Sequence, residues 1–366
     1  MRWFLMALVL LLLGSPSWEA QPQAAQEVPC PPKEPNSFCV LRGPLGFHIW
    51  SGIAFSPDGR WLAVQWSRWH EEDEIIWVWR MADGELAVEL QPPASNSMGR
   101  VQFSPDGRLL ANATTEGSIR IWEVGSWKEM HTLRSLGAGR RLAFSPTGKL
   151  LASDACLKRD PQTFICVQPA VILWDPYKGV EVRRISHVHS SNITDLAFLS
   201  DELLVTGAMA DDTIRVWQVA TGQLVRSFYG VYGVMEFEIS PNKKFLVVLQ
   251  NGIPILKVWD VSSGRELGSL FKDFVGLSFS PNGQFLAGSE GPDRQQNTLS
   301  LQIWRVKENV KDWQVARTLD IPVPNAINHF LGDLSFSPDG KILAIYIWNA
   351  AGREESIQLW YVGDLQ

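Results

Sequence analysis

The stretch FSPDGRWLA, residues 55–63, returns as FSPDGRLLA at 103–111 and FSPTGKLLA at 144–152. It weakens to FLSDELLVTG at 198–207 and ISPNKKFLVV at 239–248, then recovers as FSPNGQFLAG at 279–288 and FSPDGKILAI at 336–345. Each copy joins two apolar runs through a tight turn. Pro presets φ at the second turn position, Asp or Asn tolerates the third, and Gly relieves the fourth. The phrase is therefore a β-hairpin signal with a physical cause.

A second phrase follows every hairpin: an alternating strand closing on Trp79, Trp122, Trp174, Trp217, Trp259, Trp304 or Trp360. After a turn, most are followed by a further strand-like run, as in DGELAVEL at 83–90, TGQLVRSF at 221–228 and SGRELGSL at 263–270. Four short strands repeating at roughly 40 residues are the signature of a propeller blade. One such blade cannot bury both its faces, but neighbours around an axis bury them for each other. The repeating Phe and Trp are expected to form inter-blade core. Little chain remains after Trp360 to build an outer strand for the seventh blade. SFCVLRG, residues 37–43, stands ready to supply that strand from the N-terminus. The expectation is an all-β, seven-bladed β-propeller in one domain, residues 37–366, closed by an N-terminal strand.

Hairpin phrase and terminal Trp together resemble the WD-repeat family over residues 37–366. Periplasmic TolB-like propellers share the hairpin phrase, and the recurrent Trp sets this chain apart from them. Blade four matches the family best. The resemblance implies a buried hydrogen-bonded network there of His189, Thr206, Asp211 and Trp217, stabilising the blade.

The N-terminus reads as an export signal, residues 1–20: Arg2, an apolar run from Phe4 to Leu13, then small residues with cleavage after Ser17 or Ala20. That run is shorter than the roughly 20 residues a membrane span needs, so no stable span is expected once the signal is removed. Residues 21–36, rich in Gln, Ala, Pro and Glu, are expected to be a disordered spacer. The chain would then work in a periplasmic or extracellular setting. Four Cys in an exported chain invite pairing, Cys30 with Cys39 and Cys156 with Cys166. Free thiols are the alternative. A net charge of -6 offers no footprint for nucleic acid.

The expected function is that of a non-catalytic, monomeric scaffold for a protein partner, with no cofactor and no metal. No GxSxG, HExxH, P-loop or Rossmann glycine pattern is present. His187 and His189 form a lone HxH pair, a weak metal signal. Long loops between the second and third strands of blades one, three, six and seven fall on one end of the propeller. The junction of blades seven and one carries Trp50, Trp66, Trp69, His70, Trp348 and Arg353, a candidate partner-binding patch. The alternatives are a propeller enzyme or a carbohydrate-binding module on the same loops. A channel lined by carboxylates favours the enzyme; an apolar or plugged one favours the scaffold. Asn112 and Asn192 match the N-glycosylation pattern, with Asn192 the accessible one.

Overall fold

The computed structural model describes residues 26–35, 37–44, 47–48, 52–68, 74–91, 99–114, 117–135, 140–162, 166–231, 233–250, 255–271, 274–290, 299–323, 329–349 and 355–365. They form seven antiparallel sheets arranged as a propeller. Blade four shows the plan: strands Ile193–Ser200, Leu203–Ala208, Thr213–Gln218 and Leu224–Tyr229 pair in sequence order. The first strand of each blade packs beside the first strand of the next, around the axis.

The hairpin phrase folds as its chemistry dictates. In blade one Gly59 N donates to Ser56 O at 2.8 Å. Ser56 Oγ donates to Asp58 at 2.6 Å and accepts from Trp61 N at 2.9 Å. Gly59 sits at φ +71°, where a side chain is strained. Blade five places Lys243 at the same turn position, at φ +59°.

Among the described residues the apolar core is divided into seven clusters, one at each seam between blades. The period of two along each strand causes this. Leu62, Val64 and Trp66 face blade seven, whereas Ala63 between them faces blade two. Each large side chain buried this way contributes about 1.5–3 kcal/mol.

Blade seven is completed as expected. Ser37–Arg42 pairs antiparallel with Ser356–Tyr361, and Phe38 stacks on Trp360 at 4.8 Å. The expected spacer needs correction within its described part. Gln26–Glu27 adds a short parallel strand beside Ser37–Phe38, and Cys30 is joined to Cys39. Cys30 packs so closely on Gly84 of blade one that a Cβ there would stand 2.4 Å from its own. The segment thus clasps blades seven and one through both the strand pairing and the disulfide. Residues 1–25, with the expected signal, lie outside the described residues. Among the described residues no helix is long and apolar enough to cross a membrane.

Candidate functional site

Each blade runs as an antiparallel meander. The hairpin phrases and the turns between third and fourth strands therefore share one end of the propeller. The loops between second and third strands, and between blades, share the other. The expected patch lies at this loop-bearing end, and the structure divides it. Trp66 is not a loop residue. Its strand, Trp61–Arg68, is long enough to carry it inward, and it is fully buried. Its ring lies 6.3 Å from those of Trp77 and Trp79 and against Gly43. Trp66 is core, and its role as an exposed anchor is withdrawn. Trp348 lies next to the end of the strand Ile342–Asn349, half-buried against Phe330 with ring centroids 4.8 Å apart. Trp50, Trp69, His70 and Arg353 lie outside the described residues.

A different constellation emerges at the channel mouth. The residue three places before each hairpin Phe or Ile reads Gly52, Arg100, Arg141, Asp195, Glu236, Gly276 and Asp333 around the ring. One repeat position thus delivers two cations and three carboxylates to the same end of the axis. Arg100 reaches across to Asp195 at 3.4 Å and Glu236 at 3.3 Å. Asp195 also accepts from Phe237 N at 3.0 Å, and Asp333 from Gly52 N at 3.1 Å. Glu238, one turn of the pleat below Glu236, adds a fourth carboxylate. Gly52, Arg100, Glu236, Glu238 and Asp333 line a cavity of about 310 Å³ that also has Phe103 and Phe336 in its wall. Asp195 joins them through Arg100, and Arg141 lies close enough to feel the same charges.

Burial raises the Glu238 pKa to about 8, and Asp195 adds to the shift. Burial likewise raises Glu236 against the pull of Arg100, and Asp333 and Asp195 add to the rise. For Arg100, burial works downward but the surrounding carboxylates win, so the guanidinium is held charged. Burial also pushes Asp154 up to about 6, although it accepts from Arg140 N at 2.6 Å and Arg141 N at 2.7 Å. Met235, next to Glu236 on the inner strand Val234–Ile239, is exposed, and Met209 and Val167 are exposed in loops of the same end. The acidic pit suits a cation. Among the described residues no cluster of His, Cys, Asp and Glu is arranged to hold a metal ion.

Sequence reading did not find this ring. Its signal lay in the repeat alignment, at one column just outside the quoted phrase.

In blade four the four network residues meet. His189 bonds Asp211 through Nδ1 at 2.5 Å and Thr206 through Nε2 at 2.8 Å, and Trp217 Nε1 donates to the same Thr206 hydroxyl at 2.8 Å. His187, the other half of the HxH pair, instead bonds Gln168. Cys156 and Cys166 are joined, stapling the loop of blade three, and Cys166 N donates to Asn192 at 3.2 Å. Asn192 is exposed. Asn112 is fully buried and donates to Gln65 at 2.6 Å and Glu74 at 2.9 Å, so the folded blade shields it from glycosylation.

Known proteins place this architecture. A family model, WD domain, G-beta repeat, matches residues 91–123 and 180–218. WD repeat-containing protein 97 of Homo sapiens is 29% identical over 56% of this chain and 13% of its own length. The periodic tryptophan protein 2 homolog of Caenorhabditis elegans is 24% identical over 64% of this chain and 24% of its own. The matched region is thus under a quarter of either relative's length. A crystal structure of RRP9 WD40 repeats superposes with a TM-score of 0.70 at 20% identity, covering 88% of this chain and 97% of that one. A chain from a crystal structure of a mitotic checkpoint complex gives 0.67 at 18% identity, covering 98% and 99%. At such identities the two structures speak for the fold alone.

Proposed function

We propose that this chain, a WD-repeat β-propeller, is a non-catalytic scaffold that binds a protein partner in an extracytoplasmic compartment. One observation carries the binding half: the acidic mouth formed by Asp195, Glu236, Glu238 and Asp333, with Met235 exposed beside Glu236. A Lys or Arg presented by a partner would compete with Arg100 for those carboxylates. Support for the compartment comes from the apolar run at residues 4–13 and from two disulfides with no free cysteine.

Photo-crosslinking from position 235 tests the reading. Crosslinks to a basic segment, lost in Glu236→Gln and Asp195→Asn, are the expected result. Crosslinks indifferent to those changes would remove the channel from the account. Fractionation tests the compartment: mature chain starting near residue 18 or 21, with paired cysteines, is expected outside the cytoplasm. Full-length reduced chain inside it would overturn that half.

The carboxylate lining also favours a second reading, a hydrolase acting from the channel on saccharide or lactone-like substrates. Glu238, held protonated near neutral pH, is the acid such chemistry needs. Turnover abolished by Glu238→Gln with the fold intact would establish it.

A further inference from the structure

At the opposite end of the propeller, a cleft of about 290 Å³ lies between blades one and two. Its volume is near the lower end of the range for ligand pockets, about 300–1,000 Å³. Trp61 forms one wall, half-exposed. Asp58, Arg60, Asp106, Arg108 and Glu123 supply the rest of the polar lining. The carboxylates are oriented by neighbours: Asp58 by Ser56 at 2.6 Å and by Arg60 at 2.5 Å, Asp106 by Ser104 at 2.6 Å and by Tyr177 of blade three at 2.5 Å, and Glu123 by Ser126 at 2.6 Å, each keeping lone pairs for a ligand. Arg108 N donates to Asp106 at 3.1 Å, and the exposed Arg108 side chain makes no hydrogen bond or close ion pair among the described residues.

The wall residue is braced in an unusual way. In blades one, three, four and five the turn between third and fourth strands ends on Gly84, Gly179, Gly222 and Gly264, at φ +74°, +70°, +75° and +72°. Blade two makes the same turn, Trp127 N donating to Glu123 O at 2.8 Å, but with Trp127 at φ +56°. A bulky residue there is strained, and the strain persists only where surrounding structure holds it. Trp127 stands edge-on to Trp61, with centroids 5.3 Å apart and planes at 86°. It fixes the indole that faces the cleft.

We infer that this cleft binds a neutral oligosaccharide, one ring of which stacks on Trp61. A flat aromatic face takes the C–H surface of a sugar. Three acceptors and two guanidinium donors around it match hydroxyls, which both give and receive hydrogen bonds. The lining is too polar for a lipid or a proline-rich peptide, which need apolar walls. Its charges nearly balance, which gives no preference for a strongly charged ligand.

The experiment uses the purified protein on an array of neutral and acidic oligosaccharides, then calorimetric titration with the neutral one best retained. Trp61→Phe is expected to weaken that binding by about tenfold or more. Arg108→Ala, at an exposed side chain, is expected to weaken it with an unchanged thermal midpoint. Trp127→Gly is the positioning variant. Glycine suits the φ and removes the brace, so affinity falls while the midpoint does not. Retention of no neutral oligosaccharide, retention of acidic ones only, or equal binding by wild type and Trp61→Phe would overturn the inference. The site is remote from the channel mouth, so either proposal can fail alone.

Discussion

Blades four and six carry the same Trp at the end of the third strand, and they treat its N–H in opposite ways. In blade four Trp217 donates to Thr206, which connects through His189 to Asp211. In blade six Trp304 Nε1 is buried without an acceptor among the described residues. Strand register explains the difference. Leu204 pairs with Trp217 and Leu286 with Trp304, so the position of Thr206 is occupied in blade six by Gly288. Gly288 leaves room for the ring of Phe274, which stands 2.8 Å from where its Cβ would be. Blade six exchanged a polar relay for an aromatic contact. Blade three stands between them, with Ser153 accepting from Trp174 at 3.0 Å. A blade therefore needs the apolar area of its Trp, whereas the hydrogen-bonded relay is an addition particular to its neighbours.

The strongest way to break the comparison is Asp211→Ala. It removes the acceptor of His189 Nδ1 and of the Ser190 hydroxyl, leaving the fully buried His189 ring without its partner. A loss of about 1–3 kcal/mol in unfolding free energy is expected, since a buried neutral ring loses its hydrogen-bond partner. Denaturant melts would measure it. A loss below about 1 kcal/mol would mean the relay is as dispensable as its absence in blade six suggests.

Acid sharpens the same contrast. Burial lowers the His189 pKa below its usual 6.5, outweighing the attraction of Asp211. The relay needs neutral His189, with Nδ1–H donating to Asp211 and Nε2 accepting from Thr206. The unfolded chain takes up the proton first, so this group's contribution is complete above about pH 6.5 and is lost as pH falls toward the folded value. Asp211, depressed by its bonds from Ser190 and His189 against the cost of burial, adds a second loss below pH 3.8. Below pH 6.5 the raised carboxyls of Glu238 and Asp154 gain stability in the opposite direction, so the His189 loss is read by difference: a His189→Gln variant is expected to lose less, or gain more, than wild type as pH falls below 6.5. Equal slopes would detach His189 from the acid response.

The fold was legible because hairpin, Trp strand and missing outer strand each repeat or complete one pattern. The relay was legible only through the family resemblance, which carries His189, Thr206, Asp211 and Trp217 of blade four onto the family's network. Trp66 was misread because QWSRWHEEDE looks like a loop, rich in charge. The strand runs on to Arg68, and the period of two carries Trp66 inward with Leu62 and Val64. The channel ring was missed for another reason. Arg100, Asp195, Glu236 and Asp333 are far apart in sequence, and only closure of the ring brings Arg100 of blade two within 3.4 Å of Asp195 of blade four. Charge opposite charge across an axis cannot be read along one strand.

The smallest expected effect is the most discriminating. Trp304→Phe removes an N–H that has no acceptor among the described residues, so the lost ring area is offset by relief of an unsatisfied donor, and the net change should stay within about 1 kcal/mol. Trp217→Phe makes the same substitution where the N–H is bonded, and is expected to cost about 1–2 kcal/mol more, because the Thr206 oxygen loses a donor inside the core. Adding a hydroxyl to blade six as Gly288→Ser should not recover a relay there, since its Cβ would have to displace the Phe274 ring. Paired denaturant melts of the two Trp variants would read the difference directly. Equal losses would mean that these N–H groups do not distinguish the blades, leaving ring area alone to set the energy of each seam.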